Sequence, residues 1–355
     1  MKRSISILGS TGSIGTNTLK IISKKKLFKI NVLAANKNYK LICSQIIKFK
    51  PNFFLINDLS VFKKIKKKFK KNKVKIINVI NFKKNNIKKS DITIAAIPGI
   101  AGLKPTIEFT KKSKKILIAN KESIICGWNL INKKLKFYKT EFIPIDSEHF
   151  SINELIKNTN KKNIEKVYIT ASGGPFLNYK YSSFKNANIK KAINHPTWKM
   201  GKKISVDSAT LINKIYELIE AKKIFNLDYS KIDILVQPTS FIHSIIRFYG
   251  GILKVLVHET SMTIPIFNSL YDTKKFNGKF SHNINFKLFN NLNLQKVPIK
   301  KFPINKILTH LPKTDSLFET VLVSSNDTLV NLFLSKKISF NDIHTYLNKI
   351  LSLKE

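Results

Sequence analysis

Residues 4–15 read SISILGSTGSIG, and this stretch decides the fold. Ser4–Leu8 alternates in the manner of a short strand, and Gly9, Gly12 and Gly15 follow at once, where the apolar spacing of a helix begins. A strand that passes through a glycine-rich turn into a helix lets backbone approach a pyrophosphate closely, with the N–H groups of the first helical turn as donors. The spacing is GxxGxxG, not the commoner GxGxxG, so tight turn geometry alone could account for the glycines. Their place directly after an N-terminal strand favours a dinucleotide site.

Outward from this motif, apolar runs at Ile30–Ala34, Asn52–Ile56, Val74–Val79, Ile92–Ile97, Lys115–Ala119 and Glu141–Ile145 alternate with helical stretches. That is the signature of a parallel sheet covered by helices, and it predicts an α/β, Rossmann-like domain over residues 1–146. From Val167 the pattern changes to a strand over Val167–Thr170, a Gly-Gly-Pro turn, a loop around His195 and one helix from about Ser208 to Lys223. A strand pair follows over 232–236 and 252–258, joined by a segment readable as strand or helix. Together these outline a central α+β catalytic domain, 147–271. Residues 272–300 read as a linker, and helices over Leu317–Ser335 and Phe340–Leu353 form a small C-terminal helical domain, 301–355.

With 355 residues and 43% hydrophobic content the chain can bury more than one core. No stretch approaches the roughly 18 uninterrupted apolar residues of a membrane span, and the start MKRSISILGS carries no cleavable apolar region. Cys43 and Cys126 are too few for a disulfide framework. The expectation is a soluble protein of the bacterial cytoplasm with no membrane partner. A net charge of +43 would ordinarily suggest nucleic acid, through release of counterions from phosphates. Only Arg3 and Arg247 are arginine, however, whereas base readout and bidentate phosphate clamps favour that residue. The scattered lysines read as a solvated surface with no specific nucleic-acid partner.

Six further features carry chemistry. At the end of the second strand, where an NAD enzyme places an acid against the ribose, stands Asn36-Lys37-Asn38, which suits a 2′-phosphate and hence NADPH; the bland reading is one more lysine. Asp146 and Glu148 are two apart just past a strand, so in extended chain both carboxylates point one way and offer hard oxygen ligands to Mg²⁺ or Mn²⁺; a surface turn is the alternative. Asn213, Lys214 and Glu217 share one helical face, with Ser208 near the start of the same helix, where its dipole favours phosphate; a solvated stripe is the plain reading. Lys121 stands at the carboxyl end of the sheet, where α/β folds bind ligands, and Ser172 offers a hydroxyl on the Gly-Gly turn. Finally, His195-Pro-Thr-Trp-Lys-Met-Gly201 combines an aromatic, a thioether and a glycine, as a closing lid requires; a buried His and Trp would be the simpler account.

Taken together, GSTGSIG (9–15), IANKES (118–123), IDSEH (145–149), ASGGPF (171–176), HPTWKMGKKISVDSATLINKIYELIEA (195–221) and QPTSFIHSIIR (237–247) resemble, in order, the 1-deoxy-D-xylulose 5-phosphate reductoisomerases. The resemblance runs from Ser4 to about Leu351 and is densest between Asn120 and Arg247. It implies that Asp146, Glu148 and Glu217 hold Mg²⁺ or Mn²⁺, with Co²⁺ as a third candidate. Ser147 and Lys121 would meet the substrate's hydroxyl and carbonyl oxygens, with Lys121, Glu148 and Glu217 as the catalytic set. Ser172, His195, Ser208, Asn213 and Lys214 would surround the sugar and its phosphate. Thr11, Gly12, Ser13, Ile14, Asn36, Lys37, Asn38, Asn120, Glu122 and Gly201 would contact NADPH, and Trp198 and Met200 would belong to a mobile flap. A homodimer is also implied.

Three positions depart from the family pattern. Asn36 replaces the usual Gly, so a positive φ is expected there, which Asn tolerates. Gln237 stands where His is frequent, and the chain stops short of the usual end of the C-terminal helical domain. Rival functions are another NADP-dependent sugar-phosphate dehydrogenase, which needs no three-carboxylate metal site, and a basic polyanion-binding protein.

Overall fold

Every strand expected before residue 146 is present. The computed structural model describes all residues except 1, 25–26, 81–85, 181–183, 185–186, 272–285, 291, 315 and 354–355. In chain order the first half runs β1 (Arg3–Leu8), α1 (Ser13–Ser23), β2 (Phe28–Ala35), α2 (Tyr39–Phe49), β3 (Phe53–Ile56), α3 (Leu59–Lys68), β4 (Lys75–Asn78), β5 (Ser90–Ala95), α4 (Leu103–Thr110), β6 (Ser113–Ile118), α5 (Lys121–Tyr138) and β7 (Glu141–Pro144). The second half runs α6 (Ser147–Leu155), β8 (Ile164–Ala171), α7 (Ile189–Ile193), α8 (Lys202–Ala209), α9 (Ile212–Phe225), β9 (Ile232–Val236), β10 (Ile242–Phe248), β11 (Leu253–Val257), α10 (Thr263–Leu270), α11 (Phe286–Phe289), β12 (Gln295–Lys296), α12 (Asn305–His310), α13 (Phe318–Leu334) and α14 (Phe340–Leu351). Among the described residues no helix is long and apolar enough to cross a membrane.

The chain divides into two compact units. The first comprises Met1–Ser123, Gly127–Asp146 and Met262–Phe276, and contains a parallel sheet in the order β4-β3-β2-β1-β5-β6-β7. Ile5, Ile7, Val32, Leu33, Ile94 and Leu117 are fully buried, because helices cover both faces of such a sheet and its strands become near-continuous apolar runs. The strand order reverses at β1, flanked by β2 and β5, so the crevice past the carboxyl end of β1 is the switch point where open α/β sheets bind ligands. The glycine loop occupies it.

The second unit comprises Ile124–Cys126, Ser147–Ser261 and Asn277–Glu355. Its sheet runs β11-β10-β8-β9-β12, with β8 and β9 parallel and the other neighbours antiparallel. The segment with two readings is strand β10, which together with β8 separates the runs 232–236 and 252–258; the two are strands, as expected, but not a pair. Helices α9, α13 and α14 contribute Ile215, Ile219, Leu322, Val330, Ile343 and Leu347 to one hydrophobic core. Of the expected linker, residues 272–285 and 291 lie outside the described residues, while Gln295 of β12 pairs with Val236 of β9.

The single helix expected from Ser208 to Lys223 is two helices, broken at Thr210–Leu211. Leu211 adopts a left-handed conformation (φ 61°) and is buried. Leucine is a good helix former, so propensity argued for continuity; packing of its side chain in the core decides otherwise.

Candidate active site

In the first unit the loop after β1 is shaped for an anion. Gly9 has φ 85°, and its N–H and that of Ser10 both donate to Ala34 O, at 2.9 and 2.8 Å. A Cβ on Gly9 would lie 2.4 Å from Ala96 O, and one on Gly15 would lie 2.4 Å from Gly9 O. Gly12 is the N-cap of α1 and brings no side chain to its first-turn donors, so the N–H groups of Ser13 and Ile14 are left for a ligand.

At the end of β2 the expected positive φ at Asn36 is not found; Asn36 is absent from the left-handed residues, and its Oδ1 accepts from Asn57 Nδ2 at 3.2 Å. Lys37 is exposed, and Asn38 caps α2 by accepting from Leu41 N at 3.2 Å. Asn120 caps α5 by accepting from Ser123 N, and its Nδ2 donates to Gly99 O at 2.9 Å and to Ile97 O. Its neighbours Lys121 and Glu122 are buried in the first turn of α5.

A cluster of carboxylates gathers at the start of α6. The extended alternation expected for Asp146 and Glu148 is replaced by the first turn of this helix, since β7 ends at Pro144. One ligand oxygen from each of Asp146, Glu148 and Glu217 nonetheless lies within 4.8 Å of the others. Glu217 is 1% exposed and Glu148 9%. Lys214 Nζ donates to Glu217 Oε2 at 2.6 Å and to Glu148 Oε1, Asn213 Nδ2 donates to Glu217 Oε1, and Ser147 Oγ donates to Glu148 Oε2. Lys121 Nζ pairs with Asp146 at 3.2 Å. The polar stripe of α9 therefore does not face water.

Buried carboxylates demand positive charge, and here the Lys214 ammonium supplies it. Burial pulls its pKa down, but the charges of Glu148 and Glu217 outweigh burial, and the net direction is upward. Three carboxylates with an oxygen each within 4.8 Å of the others, two of them already sharing an ammonium, form a donor set suited to Mg²⁺ or Mn²⁺.

Sequence reasoning missed the struts of this cluster. His149 Nε2 donates to Glu217 O at 2.9 Å, its Nδ1 lies 3.6 Å from Glu220 Oε2, and Ser244 Oγ donates to Glu148 O at 3.0 Å. Asp146, His149 and Glu220 also bring ligand atoms within 4.8 Å of one another. Since His149 spends one ring nitrogen on the Glu217 carbonyl, we read it as holding α6 against α9. The available signals were adjacency of His149 to Glu148 and the three-residue step from Glu217 to Glu220.

Within the second unit, another group of polar side chains centres on His195. Its Nδ1 accepts from Thr197 N (3.2 Å) and Trp198 N (3.0 Å), which assigns the proton of the neutral ring to Nε2. Nε2 meets Ser172 Oγ at 2.9 Å and Ser208 Oγ at 3.1 Å. Burial, reinforced by the Lys214 charge, pushes the imidazole down to about 4, so it is a neutral donor at pH 7. The turn carrying Ser172 is pressed against α8, for a Cβ on Gly174 (φ 66°) would lie 2.7 Å from Ser208 O. Ser208 itself is in the last turn of α8 and not near a helix start, so the favourable dipole end belongs to α9, whose first turn holds Asn213 and Lys214. Trp198 packs edge-on to His243 at 6.1 Å, and Gly201 caps α8 with open space around it.

Comparison with known proteins decides the family. A family model for 1-deoxy-D-xylulose 5-phosphate reductoisomerase matches residues 5–127, and two models of that enzyme's C-terminal domain match 142–225 and 258–355. A reductoisomerase of Pelagibacter ubique is 52% identical over 99% of this chain and 92% of that protein. The chain belongs to the 1-deoxy-D-xylulose 5-phosphate reductoisomerase family. A reductoisomerase of Wolbachia pipientis is 38% identical, covering 95% of this chain and 87% of that one. Among solved structures, the Zymomonas mobilis reductoisomerase in complex with NADPH superposes with a TM-score of 0.88 at 29% identity, covering 100% of this chain and 93% of that one. A reductoisomerase in complex with NADPH, fosmidomycin and magnesium gives 0.91 at 30% identity over 99% and 90%.

Proposed function

We propose that this chain isomerises and reduces 1-deoxy-D-xylulose 5-phosphate to 2-C-methyl-D-erythritol 4-phosphate, in the non-mevalonate isoprenoid pathway, using NADPH and a divalent metal. The observation that carries the reading is the convergence of Asp146, Glu148 and Glu217 within 4.8 Å, in a chain of this family. A sugar-phosphate dehydrogenase without isomerase chemistry has no use for such a set, and a polyanion-binding protein has none either.

In this reading Asp146, Glu148 and Glu217 hold Mg²⁺ or Mn²⁺. When bound, the metal supplies Lewis-acid stabilisation of negative charge on substrate oxygens, and NADPH supplies the hydride that reduces the aldehyde left by rearrangement. Lys121 and Ser147 orient the substrate's carbonyl and hydroxyl oxygens. His195 donates its Nε2 proton as a neutral group, and with Ser172, Ser208, Asn213 and Lys214 it binds the phosphate end. A ring kept neutral at working pH adds a directed donor without a charge that would have to be neutralised. Thr11, Ser13 and Ile14 take the pyrophosphate on backbone donors, while Gly12, whose own N–H goes to Gly9 O, lets the phosphates approach the backbone; Asn36, Lys37 and Asn38 take the 2′-phosphate. Asn120, Glu122 and Gly201 complete the cofactor contacts. Trp198 and Met200, in the loop that leads into α8, would close over the substrate and keep water from reactive intermediates.

We further assign residues 1–146 to NADPH binding, 147–271 to the chemistry and flap, 272–300 to a link and 301–355 to the helical domain. A homodimer is part of the proposal: the edge strand β11 exposes Leu253 and Val255 beside exposed Tyr249 and Ile252, an apolar edge that a second copy would cover. A bacterial cytoplasmic setting agrees with two free cysteines, Cys43 and Cys126. The test is NADPH oxidation driven by 1-deoxy-D-xylulose 5-phosphate, with Mn²⁺ and with chelator. We expect turnover only with metal; folded protein that does not turn over with both present refutes the assignment.

A further inference from the structure

We infer that Gln45, in the middle of α2, is a positioning residue for the dinucleotide: its buried carboxamide grips Ser10 by both polar groups and thereby aims the donors of the glycine loop. Ser10 Oγ donates to Gln45 Oε1 at 2.7 Å, and Gln45 Nε2 donates to Ser10 O at 2.9 Å. Ser10 is 0% exposed and Gln45 4%, so water does not compete for either bond.

With Ser10 N already committed to Ala34 O, every polar group of this residue is fixed: its N–H by β2, its carbonyl and hydroxyl by Gln45. The peptide joining Ser10 to Thr11 is planar and trans, so a carbonyl turned toward α2 leaves the Thr11 N–H facing the opposite way. Among the described residues no group accepts that N–H. The orientation of the one unused donor that precedes α1 is thus set by a side chain 35 residues further along. The same helix is capped by Asn38, next to Lys37, so α2 ties the loop proposed for the pyrophosphate to the residues proposed for the 2′-phosphate.

Losing Gln45 would free the Ser10 carbonyl and let the peptide turn, at the cost of two buried polar groups left unpaired. An ordinary buried glutamine would affect stability alone. This inference rests on the NADPH reading above and adds to it a residue that does not touch the cofactor. The experiment is titration of full-length protein with NADPH by calorimetry, without substrate or metal, for wild type, Gln45→Leu, Gln45→Met and Ser10→Ala, with melting temperatures recorded in parallel.

We expect Kd to rise about tenfold for both Gln45 variants and about threefold for Ser10→Ala, which keeps the bond to the carbonyl. The KM for substrate should hold within about twofold, and kcat should recover at saturating NADPH. Folded variants that bind NADPH as wild type does, with only the melting temperature lowered, overturn the inference and leave the cofactor assignment standing. Should Gln45→Leu not fold, Gln45→Met and Ser10→Ala decide by the same criterion. A wild type that fails to bind NADPH sinks both.

Discussion

Replacing Glu217 by Gln tests the metal assignment with the least steric disturbance. The side chain is 1% exposed and its Oε2 lies 2.6 Å from Lys214 Nζ, where an effective dielectric of about 20 gives a gross attraction of about 6 kcal/mol. Most of that offsets the desolvation of the carboxylate, and the ammonium keeps Glu148, so the apo protein should lose only about 1–3 kcal/mol. The metal-bound state should suffer far more. Substitutions one shell removed from a metal cost about 10- to 100-fold in affinity, so deleting a ligand charge should raise half-saturating Mn²⁺ by more than about 100-fold. Thermal denaturation reads this directly: Mn²⁺ at about 100 times its wild-type Kd stabilises wild type by about 2.7 kcal/mol, a shift of a few degrees, and should leave Glu217→Gln unmoved. Turnover should fall in step, while NADPH affinity stays within about twofold of wild type. A folded Glu217→Gln protein that keeps both the Mn²⁺-induced shift and wild-type turnover would show that Glu217 is no ligand.

Four other outcomes are expected. Lys37→Ala should weaken NADPH by about tenfold and leave NADH unchanged, as read by binding of the two cofactors side by side. Asn326→Leu removes the 2.8 Å bond from Asn326 Nδ2 to buried Asp207, next to Ser208; it should cost about 1–3 kcal/mol in urea unfolding and raise substrate KM more than it lowers kcat. Burial pushes His344 down to about 4, as burial and Lys214 do for His195; between the unfolded value near 6.5 and that folded value the unfolded chain binds protons that the folded chain refuses. Stability should therefore be full above about pH 6.5 and decline toward pH 4 by at most about 1.4 kcal/mol per pH unit for each histidine, a slope that His344→Gln would reduce in urea midpoints. Leu253→Lys on the edge strand should shift the particle to a monomer in sedimentation velocity.

The N-terminal sheet was legible because a strand covered on both faces is written as a continuous apolar run, and SISIL followed by three glycines has few other uses. Asn36 was misjudged because the turn was assumed to need a left-handed residue, whereas a side-chain bond from Asn57 serves there. β10 stayed open for a different reason: IHSIIRF is short and mixes polar with apolar residues on both faces, so neither period shows. Within the site, the motifs named the carboxylates but not what holds them. His149 reaches Glu217 across 68 positions and Ser244 reaches Glu148 across 96, and local pattern carries no trace of such partners.

The break at Leu211 is where these two kinds of information meet. Had residues 208–223 formed one helix, about 3.6 residues per turn would set Asn213 about 140° and Lys214 about 240° around the axis from Ser208, and the three could not have served one phosphate. The interruption ends α8 at Ala209 and starts α9 at Ile212, so Ser208 closes one helix while Asn213 and Lys214 open the next. Ser208 then reaches His195 Nε2, and the Lys214 charge lies near enough to depress the same imidazole. A left-handed leucine costs about 1–2 kcal/mol, whereas burying its side chain contributes about 1.5–3 kcal/mol. Burial outweighs the backbone strain, so the residue that looks like a helix former in the sequence is the one able to hold the helix broken in the fold.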